Sequence, residues 1–126
     1  MHCLLLDTHS LLWAVFEPKK LSPEARRVIA SEESVVYASI ASLWEIAIKQ
    51  GLGRLYVPGD FFDAIELGGY ELLNVTVLHI KQYKDLPHHH RDPFDRMLIA
   101  QAMSERLTLV TRDQNIGRYG VPTIPA

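Results

Sequence analysis

Cysteine, excess charge and long apolar runs are all scarce in this chain of 126 residues. The single cysteine, Cys3, excludes an internal disulfide framework and a zinc site built on several thiolates. A formal net charge of -2 gives no overall basic signal for nucleic acid. This weighs against a passive nucleic-acid-binding domain, but not against an enzyme whose acidic site is loaded with metal. No apolar stretch reaches the length of a membrane span, and Asp7 comes too early for a signal peptide, so we expect a cytoplasmic protein with no membrane partner.

The composition is that of a folded domain, with 48% hydrophobic and 22% charged residues. At this length we expect residues 1–126 to form one domain with its own core. Short apolar segments alternate with segments of helical pattern, and the links between them are short. This alternation predicts an α/β fold with three layers, α/β/α, around a central, mostly parallel sheet of about four to five strands. The predicted strands cover 2–6, 35–38, 70–73, 108–110 and 121–124.

Four acidic residues lie where such a fold would bring them together. Asp7 and Asp113 follow apolar runs that are predicted strands, whereas Glu45 and Asp95 lie in helical patterns. Ligands of open α/β sheets bind outside the carboxyl ends of the strands, so we expect the four carboxylates at that edge. Carboxylates gathered there repel one another unless a hard cation such as Mg²⁺ or Mn²⁺ neutralises them. The pattern predicts a metal site that hydrolyses phosphodiester bonds.

Each acid also has a structural explanation, which the sequence leaves open. Asp92 followed by Pro93 is typical of a helix start, and Asp95 in the same turn suits the helix dipole. Asp7 and Asp113 are equally placed to cap helices that follow their strands.

Glu45 has a structural alternative as well, because Lys49 follows it by one helical turn on what would be a solvated face. A helical wheel puts Glu45 at the border of an apolar face rather than opposite it. That face is predicted to consist of Ile40, Trp44, Ala47 and Ile48.

Taken together, these segments resemble the PIN-domain nucleases, and specifically the VapC toxins of type II toxin–antitoxin pairs. The resemblance is carried by four motifs in order and so covers almost the whole chain. They are Leu4-Leu5-Leu6-Asp7-Thr8-His9, Ser42-Leu43-Trp44-Glu45-Ile46-Ala47-Ile48-Lys49, Asp92-Pro93-Phe94-Asp95-Arg96 and Thr111-Arg112-Asp113.

The resemblance implies an endoribonuclease that cleaves structured RNA, forms a homodimer and is bound by a VapB-like antitoxin protein. Asp7, Glu45, Asp95 and Asp113 match the acidic quartet of the family, which binds one or two Mg²⁺ or Mn²⁺ ions.

Three further positions match polar residues beside that quartet. Thr8 and Thr111 would orient a carboxylate or a metal-bound water. Asp92 is an extra acid, expected first to cap a helix and second to support the site.

Arg91, Arg96 and Arg112 flank the acids in sequence. They are predicted either to form a basic rim for RNA phosphates or to make salt bridges with the acids themselves. His88, His89 and His90 could suggest a transition-metal site, but three adjacent side chains of a loop point in different directions and rarely serve one site. They are interpreted instead as a flexible surface loop that can touch RNA.

The large aromatic side chains are expected to fill the core or an oligomer interface rather than to stack on bases. Phe61 and Phe62 in particular are predicted to leave an apolar patch for a partner.

Three other functions are alternatives to the toxin nuclease. A phosphate-accepting receiver domain needs paired acids after its first strand and a late lysine, whereas Asp7 stands alone and no lysine follows Lys84. A PIN-like module that binds RNA or protein without cutting predicts a broken quartet. A nuclease of RNA maturation, outside any toxin pair, would use identical chemistry and stays open.

Overall fold

The computed structural model describes residues 2–126, with five parallel strands at its centre. They pair in the order β3-β2-β1-β4-β5, and every neighbouring pair is parallel. All carboxyl ends therefore lie at one edge of the sheet, and β1 is flanked by β2 on one side and β4 on the other. The strands are β1 His2–Leu6, β2 Ser34–Ser39, β3 Glu71–Leu73, β4 Thr108–Thr111 and β5 Thr123–Pro125.

Helices connect the strands, and most begin at a polar capping residue that the sequence contains at the expected place. Ser22, Thr76 and Asp92 each accept a backbone N–H from the first turn of the helix that follows. The helices are α1 Thr8–Phe16, α2 Pro23–Ala30, α3 Ile40–Gly51, α4 Phe61–Leu67, α5 Val77–Lys84, α6 Pro93–Glu105 and α7 Gln114–Gly117.

The core is divided between the two faces of the sheet. Leu4 and Leu6 of β1 belong to one apolar cluster and Leu5 to the other, since successive side chains of a strand point to opposite faces. The first cluster contains Phe61 of α4, and the second contains Ile99 of α6. Helices thus cover both faces of a parallel sheet, and the predicted three-layer fold is confirmed.

The prediction for the apolar face of α3 is wrong. The exposed fraction of Trp44 is 63% and that of Ile48 is 38%, whereas Ser42 and Glu45 are buried. The reason is that α3 packs against α1 and α6 through the side that carries these polar groups. A helical wheel that ranks residues only by hydropathy does not identify the side of α3 with Ser42 and Glu45 as the buried one.

The predicted aromatic patch on α4 is also only half present. Phe61 is 2% exposed and belongs to the core, while Phe62 beside it is 43% exposed. Among residues 2–126, none of the helices has both the length and the apolar character that crossing a membrane requires.

Candidate active site

A cavity of about 320 Å³ opens at the carboxyl edge of the sheet, where β1 and β4 lie side by side. All four predicted acids line it, together with Asp92 and the cation of Lys49. The lining residues are Asp7, Thr8, His9, Trp13, Glu45, Lys49, Asp92, Asp95, Arg112 and Asp113. The topology accounts for this convergence, because the strand order reverses at β1 and leaves a crevice there.

The two strand-end acids are fixed by the backbone around them. Asp7 is 8% exposed, caps α1 by accepting the Ser10 N–H at 2.8 Å, and donates its own N–H to the Val110 carbonyl at 3.1 Å. Asp113 caps α7 by accepting the Asn115 N–H through Oδ1 at 2.9 Å. The expected capping roles are therefore confirmed, and both carboxylates still reach the cavity.

Glu45 is held from two directions. The Thr8 hydroxyl donates to Glu45 Oε1 at 2.6 Å, and Lys49 Nζ lies 2.9 Å from Oε2. The Ser42 hydroxyl lies 3.1 Å from that of Thr8 and extends the network. The predicted pair with Lys49 is present, but it does not lie on a solvated face, since Glu45 is only 6% exposed.

The start of α6 brings Asp92 and Asp95 to the same cavity. Asp92 Oδ1 accepts the N–H groups of Phe94 and Asp95, which confirms its role as an N-cap. Burial, followed by the charges of Asp92, Asp7 and Glu45, raises the pKa of Asp95 to about 7. Negative charge is therefore crowded at this point, and the acidic cluster is able to bind a divalent ion.

A histidine that the sequence did not assign to the site lies among these acids. Nε2 of His90 is 2.6 Å from Asp113 Oδ2 and 3.1 Å from Asp95 Oδ2. Potential ligand atoms of these three residues all lie within 4.8 Å of one another. The sequence signal was its place two residues before the cap Asp92, but only the folded loop shows which histidine turns inward.

The loop that carries His90 is anchored rather than free. The backbone N–H groups of His89 and His90 both donate to the Tyr119 hydroxyl, at 3.0 and 2.9 Å. The prediction of a flexible surface loop is thus wrong for these two half-buried residues, whereas His88 is exposed as expected.

The three arginines have different environments. Arg96 is 6% exposed and donates to the carbonyls of Leu86 and Pro87 and to the Tyr119 hydroxyl. Arg96 therefore neither forms part of a basic rim for phosphates nor makes salt bridges with the acids, because its guanidinium is hydrogen-bonded to the loop that precedes α6.

Arg112 lines the cavity, but its guanidinium is also engaged. It donates to the carbonyls of Lys20 and Ala126 and lies over the Trp13 ring, 4.3 Å from the centroid. Arg91 is exposed. Thr111 is buried and its hydroxyl accepts the Asp113 N–H at 3.0 Å, so it supports that acid through its backbone.

The PIN domain family model matches residues 4–122. Solved structures with a similar fold include VapBC2 from Rickettsia felis bound to promoter DNA, with a TM-score of 0.72, 14% identity and 97% of each chain covered. DNA-bound VapBC from Salmonella typhimurium matches with a TM-score of 0.70 and 18% identity, over 99% of this chain and 98% of that one.

FitAcB from Neisseria gonorrhoeae matches with a TM-score of 0.65 and 20% identity, over 97% of this chain and 96% of that one. At such identities the structural likeness shows the fold alone. No curated protein matches the chain.

Proposed function

This chain belongs to the PIN domain family, and on that premise we propose that it is a metal-dependent endoribonuclease, the toxin of a VapBC-type toxin–antitoxin pair. Membership of the family supports nuclease activity in general. The observation that carries the proposal is the meeting of four carboxylates from four separate segments in one cavity at the carboxyl edge of the sheet.

The donor set fits one or two Mg²⁺ or Mn²⁺ ions. Both ions prefer oxygen ligands, and the residues that would hold them are Asp7, Glu45, Asp95 and Asp113. The raised pKa of Asp95 supports the fit, since it reflects first the burial of this carboxyl and second the negative charges of Asp92, Asp7 and Glu45 around it. When bound, such an ion lowers the pKa of a water molecule and polarises the phosphodiester.

The contribution of the chain itself is to hold the carboxylates in place before substrate arrives. Ser10 fixes Asp7, Thr8 fixes Glu45, and the backbone of Asn115 fixes Asp113. Groups positioned in advance spare the reaction the cost of ordering them.

We propose that two cations of the chain contact RNA phosphates. Lys49 lines the cavity and its side chain is 42% exposed, although its ammonium group also forms a salt bridge with Glu45. Arg91 is exposed one residue before the cap of α6. We assign both to backbone contacts, which position a nucleic acid without reading its sequence.

The protein partners in the proposal are a second copy of the chain and a VapB-like antitoxin. The similar structures are described as VapBC and FitAB complexes, which supports an antitoxin partner here. Large apolar side chains are available on the surface for such contacts. Those exposed by more than half include Trp44, Leu52, Tyr56, Leu67, Val77, Leu78 and Ile80.

Two alternatives use the same fold. A PIN module that only binds RNA or protein is disfavoured, because all four acids are present and all line the cavity. An RNA-maturation nuclease outside any toxin pair would share the geometry and differ only in its biological setting.

The enzymatic part is tested by incubating purified, antitoxin-free protein with total RNA in Mg²⁺ or Mn²⁺. EDTA and an Asp95→Asn variant serve as the negative arms, and Asp63→Asn, an exposed acid of α4, is the matched control. We expect discrete cleavage by the wild type and Asp63→Asn alone. Cleavage by Asp95→Asn at the wild-type rate would refute the assigned site.

The toxin role needs a separate experiment. Expression of the wild type should arrest growth, Asp95→Asn should not, and co-expression of a cognate antitoxin, encoded by a small open reading frame where one lies directly upstream of the gene, should restore growth. Active enzyme that leaves growth unaffected would favour RNA maturation instead.

A further inference from the structure

His90 lies inside the acidic cluster, where its ring has no assigned role. Its side chain is 14% exposed, and Nε2 lies 2.6 Å from Asp113 Oδ2 and 3.1 Å from Asp95 Oδ2. Two readings of this geometry are possible in principle. The imidazole nitrogen is either a ligand for the ion or a hydrogen-bond donor to the two acids.

The other ring nitrogen decides between these readings. Nδ1 of His90 accepts the backbone N–H of Asp92 at 3.1 Å. A nitrogen that accepts a hydrogen bond carries no proton, so the ring hydrogen of the neutral imidazole is on Nε2. That hydrogen points at Asp113 Oδ2, and the short distance is typical of a hydrogen bond to a carboxylate.

A histidine that ligates a metal through Nε2 has the opposite arrangement. It keeps its proton on Nδ1 and donates it to a carbonyl, a carboxylate or water. Here Nδ1 faces a donor instead, and the Asp92 N–H has no second orientation because it belongs to the residue that caps α6. Metal ligation through Nε2 would leave both ring nitrogens without a proton, which is highly unfavourable.

The loop also keeps His90 from leaving as a whole. The His90 N–H donates to the Tyr119 hydroxyl at 2.9 Å, and Arg96, which binds the same hydroxyl, lies 3.4 Å from the His90 carbonyl. The backbone on both sides of the Cα atom is therefore pinned, and only the side chain can turn away from the acids.

We propose that His90 is a resident hydrogen-bond donor of the acidic cluster. It holds Asp113 through Nε2, with Asp95 Oδ2 3.1 Å from the same nitrogen, and competes with an incoming ion for these oxygens. It is a positioning residue that sets how tightly the site takes its metal. The inference rests on the proposed function, since it requires these acids to be the ligands.

The test compares His90→Ala with His88→Ala, an exposed neighbour in the same loop, as purified full-length proteins. Mn²⁺ binding is measured by the loss of the free-ion paramagnetic resonance signal, and Mg²⁺ binding by competition. A hydrogen bond to a charged group is strong enough that its loss should raise the affinity of His90→Ala for both ions by roughly tenfold to a hundredfold. His88→Ala should bind as the wild type does.

Two further readouts separate competition from ligation. In EDTA, His90→Ala should unfold at a lower urea concentration than His88→Ala, because the Asp113 carboxylate loses the hydrogen bond from the ring. Spin-echo spectra of Mn²⁺ bound to the wild type should show no coupling to a histidine nitrogen.

Each outcome is decisive. Weaker Mn²⁺ binding by His90→Ala, together with nitrogen coupling in the wild type, would make His90 a ligand and overturn the inference. Equal affinities in all three proteins would overturn it while leaving the nuclease proposal intact. Failure of every protein to bind either ion would refute the proposed function and this inference together.

Discussion

Replacing Asp95 by Asn removes one carboxylate charge from the acidic cavity while keeping the shape of the side chain. Burial and the charges of Asp92, Asp7 and Glu45 raise the pKa of Asp95 from 3.8 to about 7. Asp95 therefore holds its proton more tightly in the folded state than in the unfolded chain, where its carboxyl has its ordinary pKa. We expect Asp95→Asn to stabilise the protein against unfolding when no divalent ion is present.

The sign of the pH dependence follows from this difference in pKa. Between about pH 4 and pH 7 the folded state binds the Asp95 proton and the unfolded state does not, so the free energy of unfolding falls as the pH rises. The loss of stability caused by ionising Asp95 in the folded state is absent below the pKa of the unfolded chain and complete above about pH 7. Asp95→Asn should thus gain most at pH 8 and little at pH 5.

The magnitude is limited by solvent. Each tenfold difference in proton affinity is worth about 1.4 kcal/mol, which would give an upper bound of about 4 kcal/mol. The Asp95 side chain is still 22% exposed, and water and salt screen its interactions. We therefore expect a gain of about 1–2 kcal/mol at pH 8 and less than about 0.5 kcal/mol at pH 5.

Urea unfolding in EDTA at the two pH values measures this gain, with Asp63→Asn as the control that should show no pH-dependent stabilisation. Adding Mg²⁺ should reverse the order at pH 8, because an ion that binds only the folded state stabilises the wild type more. A loss of stability in Asp95→Asn at pH 8, or a gain that is the same at both pH values, would refute the view that charge is crowded at Asp95.

Two further predictions concern the residues that support the site. Thr8→Val should slow RNA cleavage by about tenfold to a hundredfold in initial-rate assays, because Glu45 loses the hydroxyl that fixes Oε1. Thr8→Ser keeps a hydroxyl and should restore most of the rate. Equal rates for the Val and Ser variants would count against an orienting role of Thr8. Arg96→Met should lower the free energy of unfolding by about 2–4 kcal/mol, since the carbonyls of Leu86 and Pro87 lose their donor and the Tyr119 hydroxyl loses one of its three. A loss below about 1 kcal/mol in thermal or urea unfolding would show that the loop is held by other contacts.

The parts of the site that follow strands were predictable from the sequence. Asp7 and Asp113 each come directly after an apolar run, and the rules for parallel sheets put such residues at one edge whatever the details of packing. Asp92 was recognisable as a cap because its role depends only on local chain geometry, as Pro93 after it indicates.

The parts that depend on how surfaces meet were not predictable. Glu45 is buried and Trp44 is exposed because α3 packs through a polar side against α1 and α6, which hydropathy cannot indicate. Arg96 and His90 were misassigned for a related reason. Their partners are Tyr119 and Asp113, more than twenty residues away, and nothing in the local sequence specifies that loop.

The start of α6 shows that the protein does not fully balance the negative charge around Asp95. The N-terminal turn of a helix favours a nearby anion by about 0.3–1 kcal/mol, and up to about 2 kcal/mol when partly buried. That contribution and the nearby His90 both favour ionised Asp95, yet the pKa of the carboxyl still lies near 7. Burial and the three neighbouring acids therefore outweigh the helix dipole and the contact with His90. An acidic cluster with this balance is able to bind a divalent cation.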